Sequence, residues 1–212
     1  MISREESITL LSLYAGGASW SRHCFAVAEA AATVGTTLAA RREVNAEFLW
    51  SAALLHDIGR HFTHDPVGHG VAGYHLLVRL GHEREAFVCA AHVLFGLDAS
   101  EARLVGLPDR DFIPLTIEER IVSLVDLLIE NDQPTILARR IASLRQRNAG
   151  NDFFLSRLER ACNRAESTMS EFNGCLDEPV EQIVTRTEWF SRPAYPADGQ
   201  ERQPDNGQGG NR

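Results

Sequence analysis

The sequence predicts an all-α fold. Apolar residues recur at three- and four-residue steps nearly throughout, as in Trp20, His23, Val27, Ala30, Val34 and Leu38, and the strict alternation of a half-buried strand is absent. Capping residues fall where this periodicity begins and stops. The pattern places helices at roughly 4–14, 20–41, 46–58, 69–80, 83–95, 117–130, 134–147, 153–173 and 179–190. The second carries the Trp20–Leu38 stripe. Asn45 can cap the third, and Gly59 and Gly81 suit helix C-termini. The fourth opens on HGVAGYHLL and the fifth holds CAAHVLFG. Thr116-Ile117-Glu118-Glu119 spells a capping box, making 116 the firmest boundary. Between Gly96 and Leu115 lies a stretch long enough for a lid over a site, or for a poorly ordered crossover. From 191 to 212 the chain is rich in Pro, Gly, Asn and Gln with little to bury, which predicts a disordered tail.

A chain of 212 residues suits one domain with an appendage. The net charge of -8 repels the phosphates of a long duplex and argues against a protein that coats nucleic acid, but leaves room for a small anion held locally. All 21 basic residues are arginines. The absence of lysine removes the P-loop lysine, the Schiff-base lysine and every lysine general base. Any phosphate must be held by arginine, histidine, backbone amides or metal. Cys24, Cys89, Cys162 and Cys175 have no C-x-x-C spacing and read as small buried thiols of a reducing cytosol. No signal peptide and no run of about 18 apolar residues is found, so a cytoplasmic protein without a membrane span is expected.

Residues 52–61, AALLHDIGRH, end an apolar run in an imidazole and a carboxylate side by side. His56 and Asp57 need compensation if they are buried, and a divalent metal compensates both. Two ligands are too few. His23 lies on a helix at the buried period, and Asp126 interrupts the apolar helix IVSLVDLLI, where an unpaired carboxylate is costly.

With His23, then His56-Asp57 within HDIG, then Asp126, the sequence resembles the metal-dependent HD-domain phosphohydrolases over roughly residues 15–131. The stretches HDIGR, Thr63-His64, His69-Gly70, EARLVGLP and IPLTIEERIV look like those of a poorly characterised subgroup. The resemblance implies an HD-domain helical bundle over 1–131, with 132–190 a C-terminal helical extension packed on it. It assigns His23, His56, Asp57 and Asp126 to one metal, with Asp57 bridging to a second held by His69 and His92. The expected cofactor is therefore two divalent ions, iron or manganese first, with zinc, cobalt, nickel or magnesium as alternatives.

Two divalent ions and two aspartates leave a surplus of two positive charges while the imidazoles stay neutral, which suits a small phosphorylated substrate. The implied reaction is hydrolysis of a phosphate ester by metal-bound hydroxide. Asp57, Arg60 and His64 are the expected catalytic residues, and Arg60, His64 and Arg103 the expected substrate contacts. His75 and His82 are expected at the surface, and His61 beside His64 in the loop after HDIG. The rival is a di-iron HD oxygenase of organophosphonates or polyols, for which Tyr14 offers a tyrosine without the accompanying glutamate. A non-catalytic HD sensor module is the third reading.

Overall fold

The structure is a computed structural model that describes residues 2–191. Apart from Ser191, the tail expected over 191–212 lies outside the described residues. Among these residues the chain forms ten α-helices: α1 (Arg4–Ala15), α2 (Trp20–Leu38), α3 (Ala46–Leu55), α4 (Gly68–Arg79), α5 (Glu83–Ala91), α6 (Ala99–Leu104), α7 (Ile117–Leu127), α8 (Leu137–Arg147), α9 (Asp152–Asn173) and α10 (Val180–Thr185). Short 3-10 turns follow α3 and α5, and one antiparallel hairpin pairs β1 (Ile129–Glu130) with β2 (Gln133–Pro134). The fold is all-α.

Helices α2 and α3 form its centre. Alanines 26, 28, 30 and 31 are fully buried on α2, and their small side chains let neighbours approach on several faces. Every residue of α3 from Phe48 to Leu55 is buried. Large side chains such as Phe48, Leu49 and Leu54 each contribute about 1.5–3 kcal/mol by leaving water. Around this pair, α2 packs on α7 and α10, α3 on α5 and α7, and α4 on α5, while α1 covers α3. The segment after residue 131 runs on through α8, α9 and α10, with α9 against α7 and α8. No helix among the described residues is long and apolar enough to cross a membrane.

The expected caps form: Asn45 Oδ1 accepts from Phe48 N, and Thr116 and Glu119 make the capping box. Several helices are shorter than their periodicity suggests, and the losses cluster where chemistry-bearing residues lie. Helix α3 stops at Leu55 because His56 is its C-cap and Asp57 leaves helical geometry at φ -104°, ψ 10°. Helix α5 stops at Ala91, and the next residues turn through the left-handed Leu94 and Phe95. Helix α7 gives way to the hairpin, and α10 ends at Thr185.

The 96–115 stretch is neither lid nor loose crossover. Asp98 and Glu101 make a capping box of their own that starts α6. Leu97 and Phe112 pair through their backbones at 3.1 and 2.8 Å. Phe112 is fully buried against Phe87 and Tyr74, so this stretch is packed on α4 and α5.

Gly59 does not end a helix. It sits in the 3-10 turn, where a Cβ would meet the His69 carbonyl oxygen at 1.9 Å and the Gly73 nitrogen at 2.4 Å. At Gly70 a Cβ would meet the Cys89 carbonyl oxygen at 2.5 Å. These close approaches draw the turn after α3, the start of α4 and the end of α5 together. Gly59→Ala is expected to cost about 3 kcal/mol, since the obstruction is backbone that cannot rotate away. Urea denaturation of the two proteins measures it, and a loss below about 1 kcal/mol shows that the helices part easily.

Candidate metal centre

Five helix ends converge on one point. His23 lies in the first turn of α2, His56 caps the C-terminus of α3, His69 is the second residue of α4, His92 caps the C-terminus of α5, and Asp126 lies in the last turn of α7. Asp57 follows His56 directly. The four imidazoles and Asp57 are buried, and Asp126 keeps only 15% of its side chain exposed.

The geometry divides around Asp57. Its Oδ2 oxygen faces His23 Nε2 at 3.8 Å and His56 Nε2 at 3.7 Å; those nitrogens also lie 3.0 and 3.5 Å from Asp126 Oδ1. Its Oδ1 oxygen faces His69 Nε2 at 3.0 Å and His92 Nε2 at 3.6 Å, and these two nitrogens are 3.2 Å apart. Two triads, His23–His56–Asp126 and His56–Asp57–His92, place their donor atoms within 4.8 Å of one another.

The opposite ring nitrogens settle what faces inward. Each Nδ1 meets a main-chain carbonyl: His23 that of Asn131 at 2.6 Å, His56 that of Ala53 at 2.7 Å, His69 that of Asp65 at 2.8 Å and His92 that of Val88 at 3.2 Å. A carbonyl only accepts, so each Nδ1 carries a proton and each ring turns its Nε2 inward, as a lone pair wherever the ring is neutral. Lone pairs 3.0–3.2 Å from a carboxylate or from one another repel unless a proton or a cation lies between them.

Burial by itself would raise the Asp57 carboxyl, but positive charge on His56 and His69, wherever those rings are protonated, and on Arg60 holds it well below the usual carboxylate range. Asp126 is held low in the same way, against its burial, by the hydrogen bond with His23 and by charge on His56 and His23 wherever those rings are protonated. The point where the helices meet thus calls for positive charge. His56 Nε2 and Asp57 Oδ1 are buried without a hydrogen-bond partner, which costs about 1–3 kcal/mol each when nothing fills the need. Four imidazoles whose Nδ1 atoms are already hydrogen-bonded, together with two carboxylates, are the donor set and outer support of a divalent-metal site.

Two adjoining cavities of 330 and 660 Å³ flank this cluster and share Arg60, His64, Arg140 and Arg147. The smaller reaches His69, His92 and Asp126, and the larger reaches His23 and Asp57.

A family model described as the HD domain matches residues 20–130. The chain belongs to the HD-domain family. HD domains bind divalent metals, and the His/Asp cluster here can hold one. Among curated proteins, an uncharacterized protein of Methanocaldococcus jannaschii is 40% identical over 109 residues, 50% of this chain and 64% of that protein. A tRNA (cytidine(56)-2'-O)-methyltransferase of Picrophilus torridus is 38% identical over 84 residues, 39% of this chain and 24% of that protein. The enzyme of the same name from Thermoplasma volcanium is 32% identical over 115 residues, 54% of this chain and 34% of its own length. The chain thus spans less than two thirds of each of these relatives. No solved structure matches it significantly.

The structure brings His23, His56, Asp57, His69, His92 and Asp126 of this HD domain together. Arg60 stands beside them, its Nε donating to Asp57 Oδ2. His64 is exposed at the rim of both cavities. Arg103 is not brought to the site: it points into solvent from α6, pairs with Asp109 at 3.1 Å and lines neither cavity. Its place in the long stretch between Gly96 and Leu115 suggested a binding residue, whereas that stretch is packed elsewhere. His61 and His75 are exposed and His82 is half-buried. His61 Nδ1 donates to the Tyr14 carbonyl, and Tyr14 lines neither cavity. Sequence reasoning missed Arg22, Arg140 and Arg147, which also line the cavities. Only the seven-residue spacing of the last two hinted at a shared helix face.

Asp57→Ala is expected to weaken divalent-metal binding by at least about 100-fold while the helices persist, since Asp57 faces both sets of imidazoles and packs nothing. Titration calorimetry with zinc, paired with far-ultraviolet circular dichroism, checks this. Wild-type affinity in the variant removes Asp57 from the ligand set.

Proposed function

We propose that this HD domain is a metal-dependent hydrolase of phosphate esters, acting on a small phosphorylated metabolite with two divalent ions. The observation that carries the reading is the division of Asp57, one oxygen toward His23 and His56 and the other toward His69 and His92, at the foot of a cleft lined by arginines. His23, His56, Asp126 and Asp57 Oδ2 hold the first ion; His69, His92 and Asp57 Oδ1 hold the second. The mixed nitrogen and oxygen set favours iron or manganese.

Bound ions of this kind supply a water acidic enough to attack phosphorus at neutral pH and positive charge for the phosphoryl oxygens. The protein's own groups do the rest. Asp57 and Asp126, kept ionised, fix the negative charge that retains the metals. Arg60 offers two further guanidinium nitrogens, beyond the Nε that Asp57 takes, to a phosphate oxygen. His64, at the rim of both cavities, is placed to pass a proton to the leaving oxygen. The four cysteines are free, which supports a reducing, cytoplasmic setting.

Methyl transfer to tRNA, the printed activity of two relatives, is not extended to this chain. It covers 24% and 34% of those proteins, and its charge of -8 opposes a long phosphate backbone.

Protein purified without added metal is expected to carry about two iron or manganese ions per chain and to release phosphate from a panel of phosphomonoesters and phosphodiesters without consuming oxygen. Oxygen uptake with a phosphonate, and no phosphate release from esters, would establish the oxygenase instead. His69→Ala and His92→Ala should each lower the metal count from about two toward one, with a rate loss exceeding any loss of stability. Wild-type metal content and rate in both variants would mean a mononuclear centre.

A further inference from the structure

The cleft holds more arginine than the metal centre uses. Arg140 and Arg147 lie two turns apart on one face of α8, beyond the residues that match the HD domain, and both line both cavities. They converge on one oxygen: Arg140 Nη1 lies 3.4 Å and Arg147 Nη2 3.2 Å from Glu130 Oε1, which also accepts from Ser143 Oγ at 2.5 Å. One carboxylate oxygen therefore serves three donors, and one negative charge faces two positive ones.

Neither arginine is idle surface. Arg140 is only 9% exposed, and its Nε is buried with no hydrogen-bond partner. A guanidinium so placed retains an unused donor, at a cost of about 1–3 kcal/mol while it stays unmet. Burial, and then the adjacent Arg140, lower Arg147 from its usual value, the mark of like charges held together. The other arginines of the cleft are matched one to one: Arg22 with Asp132 at 2.7 Å, and Arg60 with Asp57. Beside the α8 pair, Leu94, Phe95, Ile141, Leu144, Phe154 and Leu158 give the smaller cavity an apolar wall.

We propose that Arg140 and Arg147 form a second anion subsite, and that the substrate is a small phosphorylated molecule carrying a separate carboxylate or phosphate. The proposal rests on the phosphohydrolase reading, which puts the reacting phosphate at the metals. The α8 arginines take the distant anion, and the apolar wall receives the carbon skeleton between the two. Planar guanidinium forks favour carboxylate and phosphate alike.

Three probes of equal chain length separate the outcomes: propylphosphonate with one anion, 3-phosphonopropionate with an added carboxylate, and propane-1,3-diphosphonate with an added phosphonate. Each is titrated calorimetrically into full-length, zinc-loaded protein at fixed ionic strength. A doubly anionic probe is expected to bind about tenfold tighter than propylphosphonate, and the better of the two identifies the second group. In Arg147→Gln, a change at a side chain 51% exposed and outside the packed core, this ratio should fall to about threefold or less. Arg140→Gln should lower it similarly where that variant folds. Chelation of zinc by the diphosphonate is the same for wild type and variant and cancels from the comparison.

Equal affinity of all three probes for wild type, or an unchanged ratio in Arg147→Gln, overturns the subsite. If propylphosphonate binds zinc-loaded but not metal-free protein, the placing of the phosphoryl group at the metals stands even when the subsite falls. If propylphosphonate fails to bind but an arginine-dependent doubly anionic probe does, the subsite stands and the metal-centre reading falls. Binding of none overturns both.

Discussion

The structure turns on one buried carboxylate. Asp57 is 1% exposed at the meeting point of helix ends, and a charge so placed costs several kcal/mol unless opposite charge is brought to it. Arg60 answers one oxygen, but Oδ1 is left facing two imidazole nitrogens whose lone pairs cannot donate to it. Much of the surrounding architecture can be read as what holds this unmet need in place. Main-chain carbonyls of α3, α5, the hairpin turn and the loop before α4 each fix one imidazole ring, so the donor atoms converge before any ion arrives. Three helix C-termini, those of α3, α5 and α7, add the negative end of their dipoles to the same region.

Holding the donors there strains the chain locally. Among the described residues, the non-glycine residues with positive φ are Leu94, Phe95 and Asn131, and all flank the centre. Asn131 tolerates the left-handed region and turns the hairpin so that its carbonyl reaches His23. Leu94 and Phe95 tolerate it poorly, at a cost of about 1–2 kcal/mol each. They follow His92 after Val93 and line the smaller cavity. Arg164 of α9 offsets the strain by donating to the carbonyls of Phe95 and Gly96, both at 3.0 Å. The segment after residue 131 therefore braces the turn that follows a candidate ligand.

What was legible in the sequence follows from which forces are local. Apolar periodicity marked the long helices, and His56, Asp57 and Asp126 stood out because each breaks an apolar run. Helix ends were less legible. The withdrawal of α3 to Leu55 and of α5 to Ala91 answers to the converging donors, a tertiary demand that overrides a continuous apolar pattern. Helix α6 had a local signal in Asp98 and Glu101, overlooked because the stretch around it reads as loop. Arg140 and Arg147 carried almost none, because arginines spaced along an amphipathic helix look like a solvated face until the fold turns that face toward a cavity. Arg103 shows the converse: a promising loop position whose side chain finds Asp109 instead.

The division of labour along the chain limits what family membership can say about substrate. All six candidate ligands fall within residues 20–130, whereas Arg140, Arg147 and most of the apolar wall lie beyond them. On the proposed reading, metal-binding capacity and choice of ligand are thus encoded in different segments, and the second can change by substitution on α8 without disturbing a buried donor. The charge distribution agrees with this arrangement. A net charge of -8 with Arg22, Arg60, Arg140 and Arg147 gathered around one cleft is the balance the proposed function needs: overall repulsion of extended polyanions and local attraction of a small anion. Screening leaves the local attraction dominant, because the general repulsion fades beyond about 8–10 Å at physiological salt, whereas contacts inside the cleft are weakened much less.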